Sequence, residues 1–128
     1  NCSNLEEVEL SNNITTISRE SFFECHSLKA INLPIGIERI ENYAFMGTAL
    51  RSITIPADVR YVGEYCFHSC TNLSEVYCTP PTPPTLGNEY TFPHKVITFY
   101  IPAESLQLYT EAAQWRRYQA EFVGYNFY

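Results

Sequence analysis

Cys25-His26-Ser27-Leu28-Lys29-Ala30-Ile31-Asn32-Leu33-Pro34 is one side of a unit that the chain repeats. Ile31 and Leu33 alternate with Ala30 and Asn32, which predicts a short strand with one face turned inward. Pro34 lacks an N–H, so it ends strand pairing and starts a turn. The same pattern recurs on both sides. Leu5, Leu28, Leu50, Leu73 and Val96 are spaced 23, 22, 23 and 23. Val8, Ile31, Ile53, Val76 and Phe99 form the next column, and Leu10, Leu33, Ile55, Cys78 and Ile101 the one after. Pro follows directly at Pro34, Pro56 and Pro102. The short step lies between Phe45 and Leu50, in Met46-Gly47-Thr48-Ala49, where a loop absorbs the lost residue.

The second half of the unit recurs as well. Ile14, Ile37 and Val59 align, then Ile17, Ile40 and Val62. The small residues Ser21, Ala44 and Cys66 each precede an aromatic, at Phe22, Phe45 and Phe67. Cys2, Cys25, Thr48 and Cys70 close the unit. A unit of about 23 residues cannot bury its own apolar side, whereas stacked units build a continuous core. The V-x-x-I pair predicts a second short strand or extended segment on the opposite wall. The small residue before Phe lets neighbouring coils approach closely.

These stretches resemble a known family. Ile40-x-x-x-Ala44-Phe45-Met46-Gly47, Cys25-x-x-Leu28-x-x-Ile31-x-Leu33-Pro34 and Val62-Gly63-x-x-Cys66-Phe67-x-x-Cys70 are similar to the BspA-like (Treponema-type) leucine-rich repeat. The resemblance covers residues 2 to about 79, weakens through 80–95 and resumes at 96–102. The tail, from Pro80-Pro81-Thr82-Pro83-Pro84 to Trp115, resembles C-terminal segments of such proteins in gut Bacteroides-type bacteria. The resemblance implies an extracellular or cell-surface bacterial protein that adheres to host proteins, other microbes or polymers. It carries no shared catalytic motif. Ser11-Asn12-Asn13 replaces the Pro turn in the first unit, and Cys78 takes an Ile position.

The expected fold is an α/β repeat: a right-handed leucine-rich-repeat solenoid with short parallel β-strands, turns and a C-terminal capping helix. Residues 1–79 are expected to hold the repeats, and 80–128 a degenerate last repeat plus the cap. Thr79–Pro84 favours extended backbone and predicts a stiff crossover on the solenoid wall. Leu86, Tyr90 and Phe92 are expected to tuck back into the missing columns. A strand is expected over 96–101, then an amphipathic helix over about 103–118 with Trp115 plugging the open end. Residues 121–128 alternate and predict a last edge strand. The first unit shows no comparable cover, and the chain opens in mid-repeat without an initiator Met or signal sequence, as a fragment or processed product would.

Composition narrows the function. The chain carries a formal charge of −6, and its only lysines are Lys29 and Lys95. Such a surface argues against nucleic acid. No run of about 18 apolar residues exists to span a membrane. His26, His68 and His94 fall in turns, and no Ser/His/Asp group or phosphate loop shares a register, so neither an enzyme nor a cofactor is expected. Cys66-x-His68-x-Cys70 with Cys78 contains zinc-ligand types. Yet Cys66 and Cys70 sit in columns that also accept Ala, Ser and Thr, which marks small buried residues, so no metal is expected. Cys2 and Cys25 lie on adjacent coils, near disulfide range, while Cys25 and Cys70 are two coils apart. Free buried thiols are the default expectation.

The outward strand positions are the candidate ligand-binding surface. They include Glu7, Glu9, Asn32, Thr54, Glu75, Tyr77, Thr98 and Tyr100. Tyr77 and Tyr100 should be neighbours, able to stack on a sugar or anchor a protein, or merely to brace the sheet as a cross-strand pair. Sheet bracing is the more ordinary role. The expected function is recognition or adhesion, with a host or microbial surface protein or glycan as partner. A structural spacer and a carbohydrate-binding accessory domain are the alternatives. An aromatic or charged patch on the outward face separates recognition from a spacer, whose outward residues would be a scattered polar ladder.

Overall fold

The computed structural model describes residues 4–127, and only the backbone at 119 and 120. The I-x-I pattern forms β1 (Glu7–Glu9), β3 (Ala30–Asn32), β5 (Ser52–Ile55), β7 (Glu75–Cys78) and β9 (Thr98–Pro102). The V-x-x-I half forms two-residue strands: β2 (Thr16–Ile17), β4 (Arg39–Ile40), β6 (Tyr61–Val62) and β8 (Thr85–Leu86). All pairings are parallel. Each of the first four coils therefore contributes one strand to each wall, and the core lies between them. Ile53, Val76 and Phe99 share one register, as do Val8 and Ile31. On the other wall Ile17, Ile40, Val62 and Leu86 align.

The long ladder is not continuous. Strands β5, β7, β9 and a last strand, β10 (Phe122–Tyr125), form one sheet, and β1 and β3 form a separate pair. β3 and β5 lie side by side without ladder pairing. The one-residue shortening falls between them. It draws the connecting hydrogen bond forward, so that Ala49 N donates to Leu28 O (2.9 Å) ahead of the strands. In the coils of full length the bond forms later, from Lys29 N to Glu6 O and from Ser74 N to Arg51 O.

The aromatic column packs as a stack. Phe22, Phe45, Phe67 and Phe92 lie nearly parallel, with centroids 5.3, 5.4 and 5.5 Å apart in turn. That spacing is close to the strand separation that sets the coil rise. Tight approach also needs glycine. A Cβ at Gly63 would meet the backbone of Asn42, and one at Gly87 the backbone of Gly63 and Glu64.

The Pro-rich stretch is more than a crossover. It builds a complete coil: Leu86 pairs with Val62, Phe92 stacks on Phe67 and Tyr90 on Tyr65. Proline supplies carbonyls without N–H partners, and three side chains of the C-terminal segment answer them. Tyr109 Oη donates to Pro80 O, Ser105 Oγ to Pro81 O and Trp115 Nε1 to Pro84 O, each at 2.7 Å. Trp115 and Tyr109 are fully buried, so the end plug is where the amphipathic pattern puts it.

Three expectations need correction. The strand over 96–101 begins two residues later, at Thr98. Val96 is 80% exposed, and Ile97, at 1%, fills the Leu column instead. The helix over 103–118 is broken into a 3₁₀ turn at Ala103–Ser105, α1 (Leu106–Glu111) and a 3₁₀ segment at Arg116–Glu121. Ala112 is extended and Gln114 has φ 66°. This reversal drives the Trp115 ring into the core, and burial with a hydrogen bond outweighs the helix preference of Ala112 and Ala113. Lastly, Cys25 is disulfide-bonded and not a free thiol. Adjacent coils bring cysteines within bridging range; Cys2 lies outside the described residues.

Candidate recognition surface

The parallel register sets the outward residues in rows. Glu7 faces Ala30 and Glu9 faces Asn32 across β1 and β3. Thr54 faces Tyr77, and Glu75 faces Thr98. Tyr77 faces Tyr100, and their rings stack at 4.5 Å with 9° between planes. The break between β3 and β5 separates Glu7, Glu9 and Asn32 from the rest. Thr54, Glu75, Tyr77, Thr98 and Tyr100 form one patch.

Glu75 sits beneath the two phenols. Tyr77 Oη donates to Glu75 Oε1 and Tyr100 Oη to Glu75 Oε2, both at 3.4 Å. Packing against neighbours, then the Glu75 carboxylate, pushes both phenols above their usual pKa. They remain neutral donors at physiological pH.

Two members of the patch were not among the outward residues singled out above. Tyr125 meets Tyr77 and Tyr100 edge-on, at 6.0 and 5.4 Å, and Phe127 packs on Tyr125 at 4.7 Å. The alternation of 121–128 held the signal. With Phe122 inward against Phe99, Val123, Tyr125 and Phe127 must alternate outward. The tail then reaches back across the sheet. Thr54, Tyr77, Tyr125, Asn126 and Phe127 line an open cleft of about 360 Å³.

A second aromatic row runs along the turn edge. Tyr43, Tyr65 and Tyr90 stack at 5.4 Å, Arg19 lies 5.2 Å over Tyr43, and His94 stacks on Tyr90. Tyr43 and Tyr65 hold left-handed backbone, with φ 63° and 56°. The clue was the column directly before the small residue. In this row ring faces are consumed by neighbouring rings, which leaves edges outward. On the second wall Arg39 lies 4.4 Å over Tyr61 and pairs with Glu41 at 2.8 Å.

Three cysteines are packed into the core. Cys66, Cys70 and Cys78 are buried free thiols. Cys70 Sγ donates to Phe45 O at 3.1 Å and lies 3.2 Å from Thr48 Oγ1. Burial pushes all three thiols up, away from the thiolate form that binds metal or attacks a substrate. His68 instead stands edge-on to Tyr65 at 5.4 Å. Among the described residues, no three His, Cys, Asp or Glu side chains gather as a metal would require. No helix among them is long and apolar enough to cross a membrane.

A solved structure shares the fold. Pneumococcal vaccine antigen PcpA is similar at 16% identity and a TM-score of 0.57, over 95% of this chain and 35% of PcpA. The chain thus spans about a third of that protein's length. A leucine-rich repeat protein from Bacteroides ovatus matches at 15% identity and a TM-score of 0.38, over 78% of this chain and 40% of that one. No curated protein matches the chain. The family model described as BspA type Leucine rich repeat region matches residues 1–114 in six copies, and the chain belongs to that family.

Proposed function

We propose that this chain is a recognition segment of a bacterial surface protein, binding a protein or glycan through the outward face of its sheet. The observation that carries this reading is the stacked Tyr77–Tyr100 pair, flanked edge-on by Tyr125. Cross-strand bracing alone would need only the pair. A third ring and a cleft beside it add an aromatic surface of the kind that anchors partners. The rigid ladder beneath holds these rings at little entropic cost on binding. Similarity to a pneumococcal vaccine antigen supports placement at a cell surface. In this reading residues 1–79 supply the repeats, and 80–128 the closing coil and its cover. Glu7, Glu9 and Asn32 extend the same face beyond the break.

A screen of the chain on glycan and host-protein arrays, repeated with Tyr77→Ala and Tyr100→Ala, tests the reading. We expect a ligand whose signal drops about tenfold or more with either change, as a hot-spot aromatic would give. A ligand untouched by both changes would refute the site. The absence of any ligand would favour a spacer.

A further inference from the structure

The cleft beside Tyr77 suits one chemical class better than others. One face of the Tyr77 ring is covered by Tyr100. The opposite face looks along the ladder towards Thr54, its register partner, whose short side chain leaves the space open. Tyr125 stands at 70° to Tyr77, and Phe127 at 60° to Tyr125. Tyr77, Tyr125 and Phe127, set at steep mutual angles, line one opening, and the Tyr77 face not covered by Tyr100 borders it. Such a box attracts a cation.

Charge on the surrounding face points the same way. The outward strand positions carry three carboxylates, Glu7, Glu9 and Glu75. None of those positions holds Lys, Arg or His. Among the described residues the ion pairs form elsewhere, at Glu24, Glu6 and Glu41. Glu75 accepts long hydrogen bonds from the phenols of Tyr77 and Tyr100, and among the described residues no ion pair engages it, so it keeps acceptor capacity beside the rings. An anionic sugar would meet repulsion here, and a neutral one would leave the carboxylates unused.

We propose that the outward face takes a basic, extended segment of a protein partner, with one Arg or Lys side chain seated among Tyr77, Tyr125 and Phe127 beside Glu75. This rests on the recognition reading above and narrows its ligand. A second cationic side chain would meet Glu7 and Glu9. Three strand steps separate β1 from β7, about 14 Å, which an extended chain spans in about four residues.

Fluorescence anisotropy of a labelled, end-blocked Gly/Ser peptide carrying two Arg at that separation tests this, with a twin in which both are Gln. The full chain is titrated at low and high salt. We expect saturable binding of the Arg peptide, about tenfold weaker for the Gln twin and for Tyr77→Ala, and falling with salt. Tyr77→Phe, which keeps the ring, should retain binding, and near-native melting of Tyr77→Ala would exclude misfolding. No saturation below about 1 mM, or equal binding of the Gln twin, overturns the proposal. A neutral oligosaccharide that binds in a Tyr77-dependent way would also overturn it, while leaving the recognition face standing. A ligand indifferent to every outward substitution would remove both.

Discussion

At the scale of single residues, the most informative groups are polar atoms that meet a carbonyl with no partner of its own. Tyr109 and Trp115 each reach a proline carbonyl that cannot find a strand partner. Tyr109→Phe keeps the ring and leaves Pro80 O unsatisfied. It should cost about 1–3 kcal/mol, read as a lower urea midpoint with an unchanged slope. The buried acids set an alkaline limit. Burial raises Cys66, Cys78 and Tyr109 in the folded chain, whereas unfolded thiols ionise near about pH 8.5. Their contribution is complete below that pH and lost as pH rises towards the folded values, because only the unfolded state releases the proton. Denaturation midpoints should therefore fall from about pH 8.5 upwards, and Cys66→Ala should make that fall shallower. A flat alkaline profile would contradict the burial. The columns themselves were readable at this scale. The exchange of Val96 for Ile97 was not, because both are β-branched and adjacent, and only the returning Pro-rich coil decides which faces inward.

At the scale of elements, local preference and tertiary demand part company where the chain must turn. Ala112-Ala113-Gln114-Trp115 reads as helix, yet the helix stops at Glu111 so that Trp115 can enter the core. Gln114 holds left-handed backbone at φ 66° to allow it. Gln114→Gly should relieve that strain and raise stability by up to about 1 kcal/mol, whereas in a continuous helix it would lower it. A thermal or urea melt settles the sign. Gly87 is the opposite case. A Cβ there strikes the neighbouring coil's backbone, so Gly87→Ala should cost about 1–3 kcal/mol. The Pro-rich segment was hard to assign because its Ile and Phe columns are displaced by inserted residues. Once Leu86, Tyr90 and Phe92 are aligned with Val62, Tyr65 and Phe67, the coil appears.

For the whole molecule, the repeat dictates a one-dimensional object with two walls, and the proposed recognition role rests on which wall has unspent side chains. The stacked Phe column seals the interior, so removing one member exposes two neighbours; Phe67→Ala should cost about 3–5 kcal/mol, measured by urea denaturation. Most of the candidate face could be listed from register alone, including the Tyr77–Tyr100 neighbours. Its third ring and the break after β3 could not. Tyr125 depends on where the tail lands, and the break depends on how one missing residue is absorbed. Together they concentrate the aromatic surface at the capped end. The most direct test is an amide hydrogen-exchange footprint of the chain with a ligand from the array screen. New protection is expected over β5, β7, β9 and β10, centred on Thr54, Tyr77, Tyr100 and Tyr125. Protection confined to the Tyr43–Tyr65–Tyr90 edge, with the strand face unchanged, would contradict the proposed recognition role.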